Sequence, residues 1–180
     1  MNNCNLGCRG GINIADGLVK NKNITSLSLT SNKFDHTTGK AFGEYLGGHN
    51  CHIEALNLSN NIIGEQGSID IFNGLASNKL LTKLILKRNA VTNLAGQTLL
   101  RVMKHNKVLV NINLSENQLE LSEIAAIEVF LERNKALKLK NVIPNLRSQK
   151  KSLRKYILLN KEKTKNEIKR AAKDKRSQDE

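Results

Sequence analysis

The sequence predicts an α/β solenoid, in which short parallel strands and helices alternate through a stack of similar coils. Three observations predict it. A phrase with apolar residues at positions one, four, six and eleven and Asn at position nine recurs four times: Ile24-Leu27-Leu29-Asn32-Phe34, Ile53-Leu56-Leu58-Asn61-Ile63, Leu81-Leu84-Leu86-Asn89-Val91 and Leu109-Ile112-Leu114-Asn117-Leu119. The copies start 29, 28 and 28 residues apart. Counting from the last apolar residue of each phrase, further apolar residues stand at +8 (Phe42, Ile71, Leu99, Ile127) and at +12 (Leu46, Leu75, Met103, Leu131). A fixed period of this length marks a stacked repeat, whose units bury their apolar faces only against one another.

Each element follows from this frame. Leu27 and Leu29, with their equivalents, point inward as a short strand. Alternation places Ser26, Ser28 and Thr30 on the open face, followed by rows Ala55-Asn57-Ser59, Lys83-Ile85-Lys87 and Asn111-Asn113-Ser115. The Asn of each phrase has an amide that donates to and accepts from the backbone of adjacent turns, where neither helix nor sheet satisfies those groups. Gly39, Gly64, Gly67 and Gly96 are read as residues of the turn before the helix, permitting positive φ or close approach of neighbouring coils. The spacing of four between the later apolar residues keeps both on one helical face. His49, Asn78, Asn106 and Asn134 stand three residues further on, and the asparagines are expected to end the helices in the left-handed conformation. Strands that alternate with helices should form one parallel sheet.

Extended backwards, the frame aligns Leu6 with Phe34, Ile14 with Phe42, Leu18 with Leu46, and Cys4 with Asn32. Residues 1–23 thus read as a strandless partial repeat that leaves the first complete coil thinly covered. Full repeats start at 24, 53, 81 and 109. A degraded one, Leu137-Lys140-Val142-Asn145, puts Lys where the core needs Leu, and is expected to form a decayed last strand, with Pro144 suited either to a strand end or to a helix entry. The solenoid is therefore assigned to 1–144 and a basic helical cap and tail to 145–180.

Composition sharpens that boundary. Met1–Asn134 carries 13 Lys+Arg against 11 Asp+Glu, a net of +2, whereas Lys135–Glu180 carries 16 against 5, a net of +11. The tail has neither Gly nor a second Pro, which favours a helix. Leu146, Leu153, Tyr156 and Ile157 fall near one face, suited to capping the end of a stack. Lys161, Lys165, Lys169 and Lys173 follow at i, i+4 spacing, one basic stripe along ~18 Å at 1.5 Å per residue. Like charges so spaced weaken an isolated helix, so this end is expected to order on an acidic partner or to remain a solvated, solubilising tail. The core must be aliphatic, since aromatics make up 3% of the chain and Trp is absent. No run approaches the ~18 to 20 apolar residues of a membrane span, and no secretory signal is evident at the N-terminus. Three cysteines, Cys4, Cys8 and Cys51, cannot all pair, which favours free thiols and a cytoplasmic setting.

These residues resemble the leucine-rich repeat, and within it the ribonuclease-inhibitor-like class. The phrase matches, as do the 28/29 period and the Gly-containing entry into a full helix, and Leu56–Gly67 (LNLSNNIIGEQG) is a near-consensus copy. The resemblance covers roughly Cys4 to Leu137. It implies a right-handed β-α superhelix with the parallel sheet on a concave face and the helices on a convex one. The Asn position is often Cys in that family, which accounts for Cys4. Members are mostly binding proteins: inhibitors, regulators of small GTPases, immune sensors, actin-end binders and effectors of intracellular bacteria, the last delivered into a host cell.

Catalytic chemistry is not indicated, and the chain is expected to be no enzyme. No phosphate-binding loop, zinc-protease helix or nucleophile elbow occurs. His49-Cys51-His52 alone clusters metal-ligand residue types, without the four spaced ligands of a closed zinc site, so neither metal nor cofactor is expected. The leading expectation is a protein-interaction scaffold that binds its partner through the open face, with Lys83, Ile85, Lys87 and Arg88 as candidate contacts. A competing one is docking through the tail, at Lys161, Lys165, Lys169 and Lys173, to an anionic surface: an acidic protein, a membrane or a nucleic acid. Stacking on nucleic-acid bases is disfavoured, because Tyr156 is the tail's only aromatic residue. No small-molecule substrate is expected. By resemblance alone, a regulator of a small GTPase or of the cytoskeleton is a third reading.

Overall fold

A computed structural model describes residues 1–143 together with 150, 151 and 154. The chain divides into two compact units, Met1–Leu137 and Lys138–Glu180.

In the first unit α1 (Gly7–Lys20) is followed by β1 (Ser26–Ser28), α2 (His36–Gly47), β2 (Ala55–Asn57), α3 (Gly64–Gly74), β3 (Lys83–Ile85), α4 (Asn93–Met103) and β4 (Asn111–Asn113). Residues 121–137 are helical and complete the unit. The four strands form one parallel sheet in chain order, with Leu27, Leu56, Leu84 and Ile112 side by side in register. The phrase places an apolar residue at the same step of every strand, so stacking in register buries Leu56 and Leu84 and half-buries Leu27 and Ile112 at the ends. The ladder outlasts the strands: Leu29 N–H donates to Asn57 O at 2.8 Å and Ser31 N–H to Ser59 O at 3.0 Å, and later coils repeat both bonds. The α/β solenoid with a parallel sheet is thus the observed architecture.

The core is the set of phrase and helix positions. Leu29, Leu58 and Leu86 are fully buried, as are Phe34, Ile63 and Val91, and every residue at +8 and +12 is buried. Each phrase Asn is a backbone staple. Asn61 Oδ1 accepts from Asn32 N–H (2.8 Å) and Phe34 N–H (3.1 Å), while its Nδ2 donates to Leu58 O (2.7 Å) and Leu29 O (3.2 Å).

Four local expectations change or are refined. The asparagines that follow the helices are not left-handed; all three tie their coil to the one before, and Asn78 and Asn106 also close side-chain turns. Asn78 Oδ1 accepts from Leu80 N–H (2.9 Å) and Leu81 N–H (2.7 Å), and its Nδ2 donates to Leu46 O (2.8 Å). Positive φ falls instead beside the phrase asparagines, at Ser31, Lys33, Asn60, Arg88, Ala90 and Glu116. Secondly, three of the four glycines lie inside helices, and Gly64, the first residue of α3, alone among them uses positive φ (69°). Gly39 and Gly67 let α2 and α3 meet backbone to backbone. Gly43 and Gly74 extend the same seam: a Cβ on Gly43 would collide with Asp70 O, and one on Gly74 with Gly43 O.

Thirdly, the cover of β1 is thin, leaving Leu27 half-buried, but it is bonded to the strand end through the backbone. Asn3 N–H donates to Thr30 O (2.8 Å), the Met1 ammonium reaches Ser28 O (3.3 Å), and Cys4 N–H donates to Asn32 Oδ1 (3.0 Å). Asn3 and Asn5 share the positive φ of Ser31 and Lys33, so Met1–Asn5 repeats the turn of a full phrase without a strand before it. Fourthly, the decayed strand expected from Leu137 does not form. Residue 137 is helical, and in the second unit so are 138–143, 150, 151 and 154. At Asn78 and Asn106 the same position closes a turn by accepting from the amides two and three residues on. Here Asn134 is itself helical and its Oδ1 is taken by the Arg133 guanidinium (2.9 and 3.0 Å), leaving strong helix formers to carry on.

Candidate functional site

The open face of the sheet is built from residues that alternate with the core leucines. Strand register sets Ala55, Lys83 and Asn111 in one row and Asn57, Ile85 and Asn113 in the next. Much of this face is occupied with itself. Asn57 Oδ1 accepts from Ser59 N–H (3.0 Å) and Ser59 Oγ (2.6 Å), and Asn113 holds Ser115 in the same way. Asn2 does so for β1, accepting from Ser28 Oγ and Thr30 N–H, both at 2.9 Å. The β3 row breaks the pattern. It replaces the Asn–Ser pair with Ile85 and Lys87, so this strand has no internal polar closure.

Of the four candidate contacts on this face, the structure brings Lys87 and Arg88 together around a further residue, Glu116. Lys83 is exposed and Ile85 half-buried. Among the described residues Lys83 is in no ion pair. Lys87 Nζ lies 2.6 Å from Glu116 Oε1, and Arg88 Nη2 bonds Glu116 Oε2. Arg88 and Glu116 occupy the same left-handed position of adjacent coils (φ 53° and 57°), which aims their side chains at one another. The hydrogen bond from Lys87 holds the Glu116 carboxyl below its ordinary range; partial burial opposes this, and Arg88 reinforces it. Lys87 and Arg88 are therefore partly neutralised, and Lys83 with Ile85 is the freer half of the patch. The sequence reading missed Glu116, although its offset of 28 residues from Arg88, one repeat, was a usable signal. Lys161, Lys165, Lys169 and Lys173 lie outside the described residues.

Elsewhere the polar chemistry serves turns. Tyr45 Oη accepts from His52 N–H (3.2 Å), His52 Nδ1 bonds Asn50 O (2.8 Å), and buried Cys51 accepts from Asn78 Nδ2 (3.3 Å). Among the described residues no group of three His, Cys, Asp or Glu side chains could hold a metal ion, and no helix is long and apolar enough to cross a membrane. With no fifth strand over 137–143, a groove of about 680 Å³ runs between β4 and the 121–137 helix, lined by Ile112, Leu114, Ile127 and Leu131.

No family model matches the chain. It is 33% identical over 91 residues to leucine-rich repeat-containing protein AAC1 of Dictyostelium discoideum, a match covering 49% of this chain and 11% of that protein. Among solved structures, leiomodin-1 actin-binding site 2 superposes with a TM-score of 0.73 at 22% identity, covering 82% of this chain and 85% of that one. The tropomodulin C-terminal domain of Caenorhabditis elegans superposes with a TM-score of 0.68 at 13% identity, covering 79% and 86%. Repeat phrase, register and these likenesses agree that the chain has the leucine-rich repeat fold, in the form that the tropomodulin and leiomodin domains share.

Proposed function

We propose that the chain is a protein-interaction scaffold, that its repeats are of the ribonuclease-inhibitor-like class, and that its partner contacts the open sheet face through Lys83, Ile85, Lys87 and Arg88. One observation carries the choice of face: β3 alone abandons the Asn–Ser closure of its neighbours and offers a half-buried Ile between two lysines. A half-exposed aliphatic side chain flanked by charge is an anchor that desolvates on contact. The 28/29 period and the full helices of each coil support the class.

The cytoskeletal reading takes support from the leiomodin-1 domain, whose name records an actin-binding site. Co-sedimentation with filamentous actin tests it. The chain should pellet with filaments, and Lys83→Glu with Lys87→Glu should abolish pelleting. Filaments that leave the chain in solution remove actin as the partner. Pelleting that the double variant matches removes the face. The second contact is the C-terminal segment, supported by its net charge of +11 over residues 135–180. It predicts binding that weakens steeply with salt and is reduced by deleting 161–180; binding indifferent to both assigns that segment no role.

A further inference from the structure

All helix-to-strand turns of an in-register stack fall along one edge, and all strand-to-helix turns along the other. The two edges differ in charge. The strand-to-helix edge is nearly balanced, with Asp35, Glu65, Glu116, Glu120 and Glu123 against Arg9, Lys33 and the Glu116-paired Lys87 and Arg88. The helix-to-strand edge holds Lys20, Lys22, Lys79, Lys104 and Lys107, all exposed, against Glu44, Glu54 and the Lys135-paired Glu132. The near-neutral total of the repeats conceals this difference.

Helix dipoles account for part of it, since a cation in a last turn is favourable there. Lys20 in α1 fits that account. Lys79 and Lys107 do not: α3 ends at Gly74 and α4 at Met103, so both lysines stand beyond the reach of the last turn. Lys22, Lys79 and Lys107 share one position of the repeat, sixteen residues after Leu6, Ile63 and Val91. Each follows an Asn whose Oδ1 accepts from the amides two and three residues on. The distances are 2.9 and 2.9 Å at Asn21, 2.9 and 2.7 Å at Asn78, and 2.9 and 3.0 Å at Asn106. The lysine is thus spanned by the bonded turn each time. Asn78 and Asn106 also fasten their turns to the preceding coil, at Leu46 O and Leu75 O, both 2.8 Å. Among the described residues none of the three lysines forms an ion pair. In the intervening coil the position is Asn50. In the last coil it is Lys135, which is paired with Glu132 at 2.6 Å.

We propose that this edge is a second docking ledge, for an extended acidic segment of a partner protein. Three turns closed by the same side-chain bonds, two of them fastened to the preceding coil, present one cation each and are preorganised for a periodic anion. Coils lie ~4.8 Å apart at the strands and ~8–10 Å apart at the helices. An extended chain puts alternate side chains on one face at about 6.8 Å, between those limits. Exposed Leu80, beside Lys79, adds an apolar contact that a protein segment uses. Duplex nucleic acid is less well matched, because the guanidinium nearest the ledge, Arg133, is spent on Met103 O and Asn106 O at 2.7 Å each.

A labelled nonapeptide alternating Glu and Thr, titrated into the full chain at 0.1 M salt with anisotropy as readout, tests the ledge. Lys79→Glu with Lys107→Glu should weaken binding at least tenfold. Lys33→Glu with Lys40→Glu, which changes net charge equally at exposed sites off the ledge, should change it less than threefold. Equal losses in both variants, or a peptide held as well by the ledge variant, overturn the proposal. So does a ledge-dependent affinity for phosphatidylserine vesicles or a 20-base-pair duplex in the absence of peptide binding. Actin co-sedimentation of the ledge variant separates this proposal from the sheet-face reading, which requires Lys83 and Lys87 instead.

Discussion

A single amide side chain does the work of several backbone bonds in this molecule. Asn61 is buried and satisfies two amides and three carbonyls drawn from two coils. Asn61→Ala leaves those groups without partners in a place water cannot reach, and should destabilise the chain by about 3 kcal/mol, read from the urea midpoint. At the surface, Asp35 caps α2 by accepting from Thr37 and Thr38 N–H at 3.0 and 3.2 Å. Partial burial opposes its charge, but the Thr37 hydroxyl, the two amides and the neighbouring His36 together hold the carboxyl below its ordinary 3.8. A lowered folded-state value adds stability that is present above the ordinary value and is lost as pH falls through the folded one. Asp35→Ala should therefore cost about 1 kcal/mol at pH 7, a gap that closes below pH 3.8 in parallel urea titrations. Asp35→Asn, which keeps an acceptor, should retain most of the cap at neutral pH.

At the scale of elements, glycine separates two kinds of position that look alike in the sequence. Gly17 in α1 has ordinary helical backbone and open space around it, so Gly17→Ala should raise stability by about 0.5–1 kcal/mol. Gly43 faces the Asp70 carbonyl across the α2–α3 seam, and backbone there has nowhere to go; Gly43→Ala should lower stability by about 2–3 kcal/mol. Thermal unfolding of the two variants reads opposite signs, and equal shifts would dissolve the seam as a determinant. The seam was half legible in the sequence. The period put glycines near equivalent positions and allowed close approach as one reason for them, but which helices touch by backbone depends on Gly43 and Gly74, whose positions carry no repeat signal. The false strand over 137–142 has a similar origin. Leu137 and Val142 fit the apolar pattern, yet a core strand would have to bury Lys140, and the turn that Asn78 and Asn106 close in their coils is not made at Asn134. Helix propensity then decides the segment.

Across the whole stack, burial grades from the middle to the ends. Leu56 and Leu84 are buried in the sheet interior, whereas their register partners Leu27 and Ile112 are half-buried on the outer strands. Such a quasi-linear molecule derives its stability from contacts between neighbouring coils, so its ends should open before its centre. The fold itself was readable because these contacts repeat: one phrase, seen four times, states the register of every strand. The site was less readable because it rests on exceptions. Ile85 and Lys87 are visible as departures from Asn57–Ser59 and Asn113–Ser115, but the loss of two cations to Glu116 shows only once Arg88 and Glu116 are seen at one left-handed position of adjacent coils. The burial gradient yields a measurable order. Amide hydrogen exchange should be slowest at Leu56, Leu58, Leu84 and Leu86, faster in β1, and fastest along β4, which has no strand on its outer side among the described residues. Leu56→Ala should cost about 3 kcal/mol and Leu27→Ala about half of that, because the outer side chain loses less packing and its site can relax toward solvent. Uniform exchange through all four strands, with equal costs for the two substitutions, would mean that the coils unfold as one cooperative block, and that an end coil is held as firmly as a central one.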